Sequence, residues 1–88
     1  DLFSSELIAY DLNLISVHKI EVKMRVQAKV RYRHAEQPAT VEQLDEKRIH
    51  VIFDEPQRAI TKGQAVVLYD GDVVVGGATI CDTVRQEC

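Results

Sequence analysis

The 88 residues contain no apolar run near the roughly 20 that a membrane helix requires. Nor is there a leader that runs from basic to apolar to small residues. No membrane partner is therefore expected, and the expected location is cytoplasmic. Cysteine is scarce. Cys81 and Cys88 are the only two, too few for a disulfide framework and short of the four ligands of a structural zinc site, so both are expected as reduced thiols. His18, His34 and His50 lack metal-ligand spacing, and no metal is expected. No glycine-rich phosphate loop leads into a helix, and no His lies near Cys81 in sequence to make it a nucleophile. Asp54-Glu55 and Asp70-Gly71-Asp72 bring carboxylates together, but "YDGD" lacks the ligand series of a calcium loop and reads as a turn. Nothing resembles an active site. The chain opens "DLFSSEL" without an initiator Met, which reads as a fragment of something longer.

What is present is a folding composition: 45% hydrophobic and 28% charged residues, enough for one domain with a modest core. Period-two alternation recurs along the chain, and no window keeps the three-four spacing of a helix. Ile8, Tyr10, Leu12 and Leu14 alternate with Ala9, Asp11 and Asn13 as a first strand, with "FSSEL" able to form a helical turn ahead of it. A long strand follows at 22 to 33, and Pro38 marks a break. "ATVEQL" and "RIHVIF" flank the polar "DEK" as a hairpin, with Ile49, Val51 and Phe53 on one face. "DEPQRAITKG" reads as a connection. "QAVVLY" and "DVVVGGATI" flank Asp70-Gly71, a pair suited to the positive φ of a tight turn. Val66 and Leu68 face one way and Ala65, Val67 and Tyr69 the other, which predicts cover on both faces. Gly76-Gly77 predicts a bulge or a close backbone approach. The expected fold is all-β, a small six-stranded antiparallel barrel occupying residues 1–88, since closure removes exposed edges.

The charge is unevenly placed. Residues 19 to 34 carry a balance of +5 and the remainder −8, within a net charge of −3. In "KMRVQAKVRYRH", Lys23, Arg25, Lys29, Arg31 and Arg33 share one face with Gln27. Cations two residues apart on a strand lie about 6 to 7 Å from one another, close to the spacing of backbone phosphates. Like charges in a row cost stability unless an anion offsets them. Nucleic acid is one such anion. Glu42, Asp45 and Glu46 on a neighbouring strand are another, and would make the row an ordinary solvated exterior.

"AKVRYRH" and "VIFDEPQRAITKGQAVVLYDGDVVVGGATI" carry a resemblance. The ordered set RYR, FDEP, A-x-T-x-GQ, Y-x-G and GG-x-x-I resembles the C-terminal region of bacterial tRNA-specific 2-thiouridylases, the MnmA family, from about "SSELIAYDLNLIS" to Ile80. The tail "CDTVRQEC" matches no pattern. The resemblance implies a barrel similar to the second domain of elongation factors, attached to N-terminal domains of the same chain. The implied enzyme uses ATP, with Mg²⁺, to activate the wobble uridine of tRNA, then installs sulfur from an enzyme persulfide charged by a sulfur-donor protein. Its ATP loop and reactive cysteines lie outside this stretch. The barrel alone is thus expected to be inactive, to hold no cofactor, and to give Cys81 and Cys88 no catalytic role. By the same resemblance, tRNA is met by Arg31, Tyr32 and Gln64. Arg31 offers a planar guanidinium suited to phosphate, Tyr32 fits a barrel core about as well as a ligand, and the Gln64 amide bonds either RNA or its own loop. Lys29, Arg33 and Arg25 add phosphate attraction. Two rival functions stay open: a structural barrel whose basic face packs on its own N-terminal domains, and a free-standing barrel that binds protein or another RNA.

Overall fold

Ile49, Val51 and Phe53 alternate with His50, Ile52 and Asp54, a pattern that gives a strand one dry face. In a computed structural model, which describes residues 3–20, 22–30, 35–58 and 63–82, those three side chains are at most 3% exposed. The strands are β1 (Phe3–Leu14), β2 (Met24–Lys29), β3 (Gln37–Gln43), β4 (Ile49–Arg58), β5 (Ala65–Asp70) and β6 (Val73–Asp82). They pair antiparallel in the order β1-β4-β3-β2-β5-β6, and β6 returns to β1 to close the barrel. This is the fold the alternation predicts. "FSSEL" is strand rather than helical turn. Among the described residues, no helix is long and apolar enough to cross a membrane.

Leu7, Val26, Val41, Val51, Val66, Leu68, Val75 and Ile80 fill the interior, and no polar side chain is buried among the described residues. Each of these apolar side chains contributes roughly 1.5–3 kcal/mol on burial, which makes the closed interior the main source of stability. On the outside of β5, Val67 and Tyr69 are half-buried and Ala65 is exposed. The expected cover on that face is therefore only partial.

β1 does not keep one alternation. Leu7 and Ala9 are in the core from its first half, and Leu12 from its second. The switch occurs at Asp11, whose φ of 58° is left-handed, where the β1–β6 register shifts between Tyr10 and Asn13. One extra residue turns every later side chain to the other face. Tyr10 is consequently exposed while Leu12 is buried, which corrects their expected sharing of a face.

Both prolines lie within strands, where breaks or connections were expected. Pro38 is the second residue of β3, opposite Gln27, near the strand start where a missing N–H is tolerated. Pro56 falls where β4 advances five residues, from Ile52 to Gln57, while β1 advances two, from Glu6 to Ser4. That bulge has no regular ladder for proline to interrupt.

The β5–β6 turn is built from Gly71 and Asp72, because Asp70 still pairs with Val73. Gly71 carries the positive φ, 64°, at the first central position, where a type II′ turn places glycine. A Cβ on Gly76 would lie 2.6 Å from the Asn13 carbonyl oxygen, which is the close backbone approach expected of the glycine pair.

Candidate nucleic-acid interface

β2 keeps its cations outside. Val26 and Ala28 are buried, Arg25 is exposed and Lys29 half-buried, as alternation in "KMRVQAK" requires. The strand is shorter than the expected 22 to 33, starting at Met24 with Val22 in a bend. Arg31, Tyr32, Arg33 and His34 lie outside the described residues.

Antiparallel order sorts the connections between the two ends of the barrel. β2 runs toward the end at which β5 begins, and the two pair through Gln27 with Tyr69, Ala28 with Leu68 and Lys29 with Val67. Gln64 directly precedes β5. Its loop is tied to β6 in both directions: the Gly63 amide donates to the Ile80 carbonyl at 2.8 Å, and the Ile80 amide donates to the Gln64 carbonyl at 2.7 Å. Gly63 takes a φ of 93°, a conformation natural to glycine. Lys29, the last residue of β2, and Gln64, just before β5, are thus brought to the same end of the barrel. A cleft of about 570 Å³ lies at the other end, among Leu12, Val17, Lys19, Glu46 and Lys47, and includes none of the expected site residues.

Arg25 is differently placed. Its Nη1 and Nη2 donate to Asp54 Oδ1 and Oδ2, both at 2.7 Å, and Nη1 also donates to Thr40 Oγ1 at 2.9 Å. The guanidinium therefore crosses β3 to grip a carboxylate on β4. That hydrogen bonding, with the attraction of opposite charges, lowers the pKa of Asp54 and raises that of Arg25. Sequence reasoning chose Glu42, Asp45 and Glu46 as offsetting carboxylates and missed Asp54. The usable signal was the outward alternation of His50, Ile52 and Asp54. Asp45 instead accepts from the Lys47 amide and Arg48 Nε within the β3–β4 loop. Glu42 sits opposite His50.

His50 Nε2 lies 2.9 Å from Glu6 Oε1, and no cluster of three potential metal ligands occurs among the described residues. Cys81 is disulfide-bonded, which departs from the expected reduced thiol. The expectation rested on a cysteine count too low for a disulfide framework, which does not bear on a single bond. Cys88 lies outside the described residues.

The aminomethyltransferase beta-barrel domain family matches residues 4–80. The chain belongs to this family. It is 58% identical over 80 residues to tRNA-specific 2-thiouridylase MnmA of Clostridioides difficile, covering 91% of the chain and 22% of that relative. It is 54% identical over 85 residues to MnmA 1 of Thermoanaerobacter sp., covering 97% and 23%, and 51% identical over 81 residues to MnmA of Koribacter versatilis, covering 92% and 22%. The match agrees with the resemblance to the C-terminal domain of MnmA. The chain spans about a fifth of the length of these relatives.

Proposed function

We propose that this barrel is the accessory tRNA-binding domain of a tRNA-uridine 2-sulfurtransferase, and that its tRNA-facing region is the barrel end where β2 finishes and β5 begins. The observation that carries this reading is the β2–β5 pairing, with Lys29 opposite Val67, which brings Lys29 to the barrel end where Gln64 precedes β5. The two residues come from separate parts of the sequence, and the connection containing Arg31, Tyr32 and Arg33 follows Lys29 directly. Cations supply sequence-independent phosphate attraction there, while a side-chain amide adds a directional hydrogen bond.

The parent enzyme would use ATP with Mg²⁺, an enzyme persulfide and a sulfur-donor protein. The described residues do not fit ATP and its metal: they include no strand leading into a helix N-terminus and no trio of potential metal ligands. No step of sulfur transfer is assigned to them, and the barrel by itself is expected to be inactive. Its contribution is to hold tRNA while other domains act.

The test is tRNA binding across a salt series by a full-length thiouridylase carrying this barrel. Lys29→Gln and Arg31→Ala should each weaken binding at low salt and flatten the slope of log affinity against log salt by about 0.7–0.9 per lost phosphate contact. Gln64→Ala should weaken binding with little change of slope, because a neutral amide releases no counterion. Stable variants with unchanged affinity and slope would remove the tRNA role. A drop in melting temperature with unaltered tRNA binding would favour packing on the N-terminal domains.

A further inference from the structure

We propose that Asp54 sets the boundary of the tRNA-binding face, keeping Arg25 from phosphate and confining contact to the Lys29 and Gln64 end. This inference rests on the tRNA reading above.

β2 presents Arg25 and Lys29 on the same outer face, separated by about 13 Å of strand at roughly 3.3 Å per residue. By sequence they are equivalent cations. The structure makes them unequal, because Arg25 makes three hydrogen bonds to Asp54 and Thr40, two of them a bidentate grip on the carboxylate. Both members of the pair stand in solvent, with side chains 61% and 45% exposed. Burial therefore does not remove Arg25 from a ligand; its partner does. The surrounding exterior adds Glu42 opposite His50 and Glu6 against His50, so the β3–β4–β1 side offers a phosphate backbone little net attraction.

Charge exchange explains how this limits binding. Three of the five Arg25 guanidinium N–H donors are taken. A phosphate bonding the other two meets a cation whose charge Asp54 already offsets, and one that displaces the carboxylate releases a group that attracts a cation from solution. The counterion released from the RNA is matched by one taken up at Asp54, so the exchange gives no net ionic driving force. Bidentate geometry also makes carboxylate a close substitute for phosphate as a guanidinium partner. Asp54 is thus a specificity-determining residue that acts through Arg25. It prevents sequence-independent contact from spreading along the strand to RNA held in other registers.

The experiment measures affinity for substrate tRNA and for a tRNA that is not modified, against salt, in a full-length thiouridylase carrying this barrel. The variants are Asp54→Asn, Arg25→Gln, the double substitution and Lys29→Gln, each checked for folding by thermal melting. Arg25→Gln alone should leave the salt slope unchanged. Asp54→Asn should steepen it by about 0.7–0.9 and raise affinity severalfold for both tRNAs, narrowing the difference between them. The double substitution should restore the wild-type slope, which a merely structural role for Asp54 would not do. An unchanged slope in Asp54→Asn, or a flatter one in Arg25→Gln alone, overturns the boundary. If Lys29→Gln also has no effect, the tRNA reading fails with it. If Lys29→Gln flattens the slope while Asp54→Asn does nothing, only the boundary fails.

Discussion

One carboxylate organises the β3–β4 loop. Asp45 accepts from the Lys47 amide at 2.9 Å with Oδ1 and from Arg48 Nε at 2.7 Å with Oδ2. The amide hydrogen bond first, and the Arg48 hydrogen bond second, hold its pKa below the ordinary carboxylate value. A group whose folded pKa is depressed stabilises the fold above its unfolded pKa, about 3.9 for aspartate, and loses that contribution as pH falls through the folded value. Asp45→Ala should accordingly lower the melting temperature at pH 7, with the deficit closing below about pH 4. Thermal melts of both proteins from pH 7 to pH 2 provide the check. A deficit that persisted unchanged at the acid end would assign the effect to loop conformation instead of charge. Asp54 follows the same sign, since Arg25 depresses its pKa as well.

The strands were largely legible, because alternating apolar residues in "RIHVIF" and "QAVVLY" must face a common interior whatever the neighbours are. The departures came from long-range pairing. Nothing adjacent to Asp11 announces a left-handed residue; the need for one arises where β1 leaves β4 and follows β6. Pro56 read as part of a connection because its place in a β4 bulge is set by β1, some fifty positions earlier. Arg25 likewise reads as a free cation until the register brings Asp54 across β3. The β2–β5 pairing that joins Lys29 to the Gln64 end was not readable from spacing alone.

The glycine pair gives a sharp test of the same register. A Cβ on Gly76 meets the Asn13 carbonyl oxygen at 2.6 Å, whereas one on Gly77 meets only the Val66 carbonyl oxygen at 3.4 Å. Gly76→Ala should therefore cost about 1–3 kcal/mol through forced backbone displacement. Gly77→Ala should be near neutral or slightly stabilising, since alanine loses less backbone freedom on folding. Urea unfolding of the two variants separates these outcomes, and equal losses would contradict the close approach of β1 to β6.

The whole barrel shares one interior, so damage to one strand is felt by all six. Leu68 is fully buried in β5, whose partners are β2 and β6. Leu68→Ala should lose about 2–5 kcal/mol. It should do so as a shift of a single unfolding transition with an unchanged denaturant slope, read by circular dichroism and by amide exchange in strands remote from β5. Two separated transitions would show that the sheet divides into independent units. Closure also governs what kind of reader the domain can be. Each of the six described strands already has a neighbour on each side, so the described sheet has no free edge strand to offer a guest peptide. Recognition is left to side chains and loop amides standing on a fixed frame. Partner preference can then change by single substitutions, without re-registering a strand.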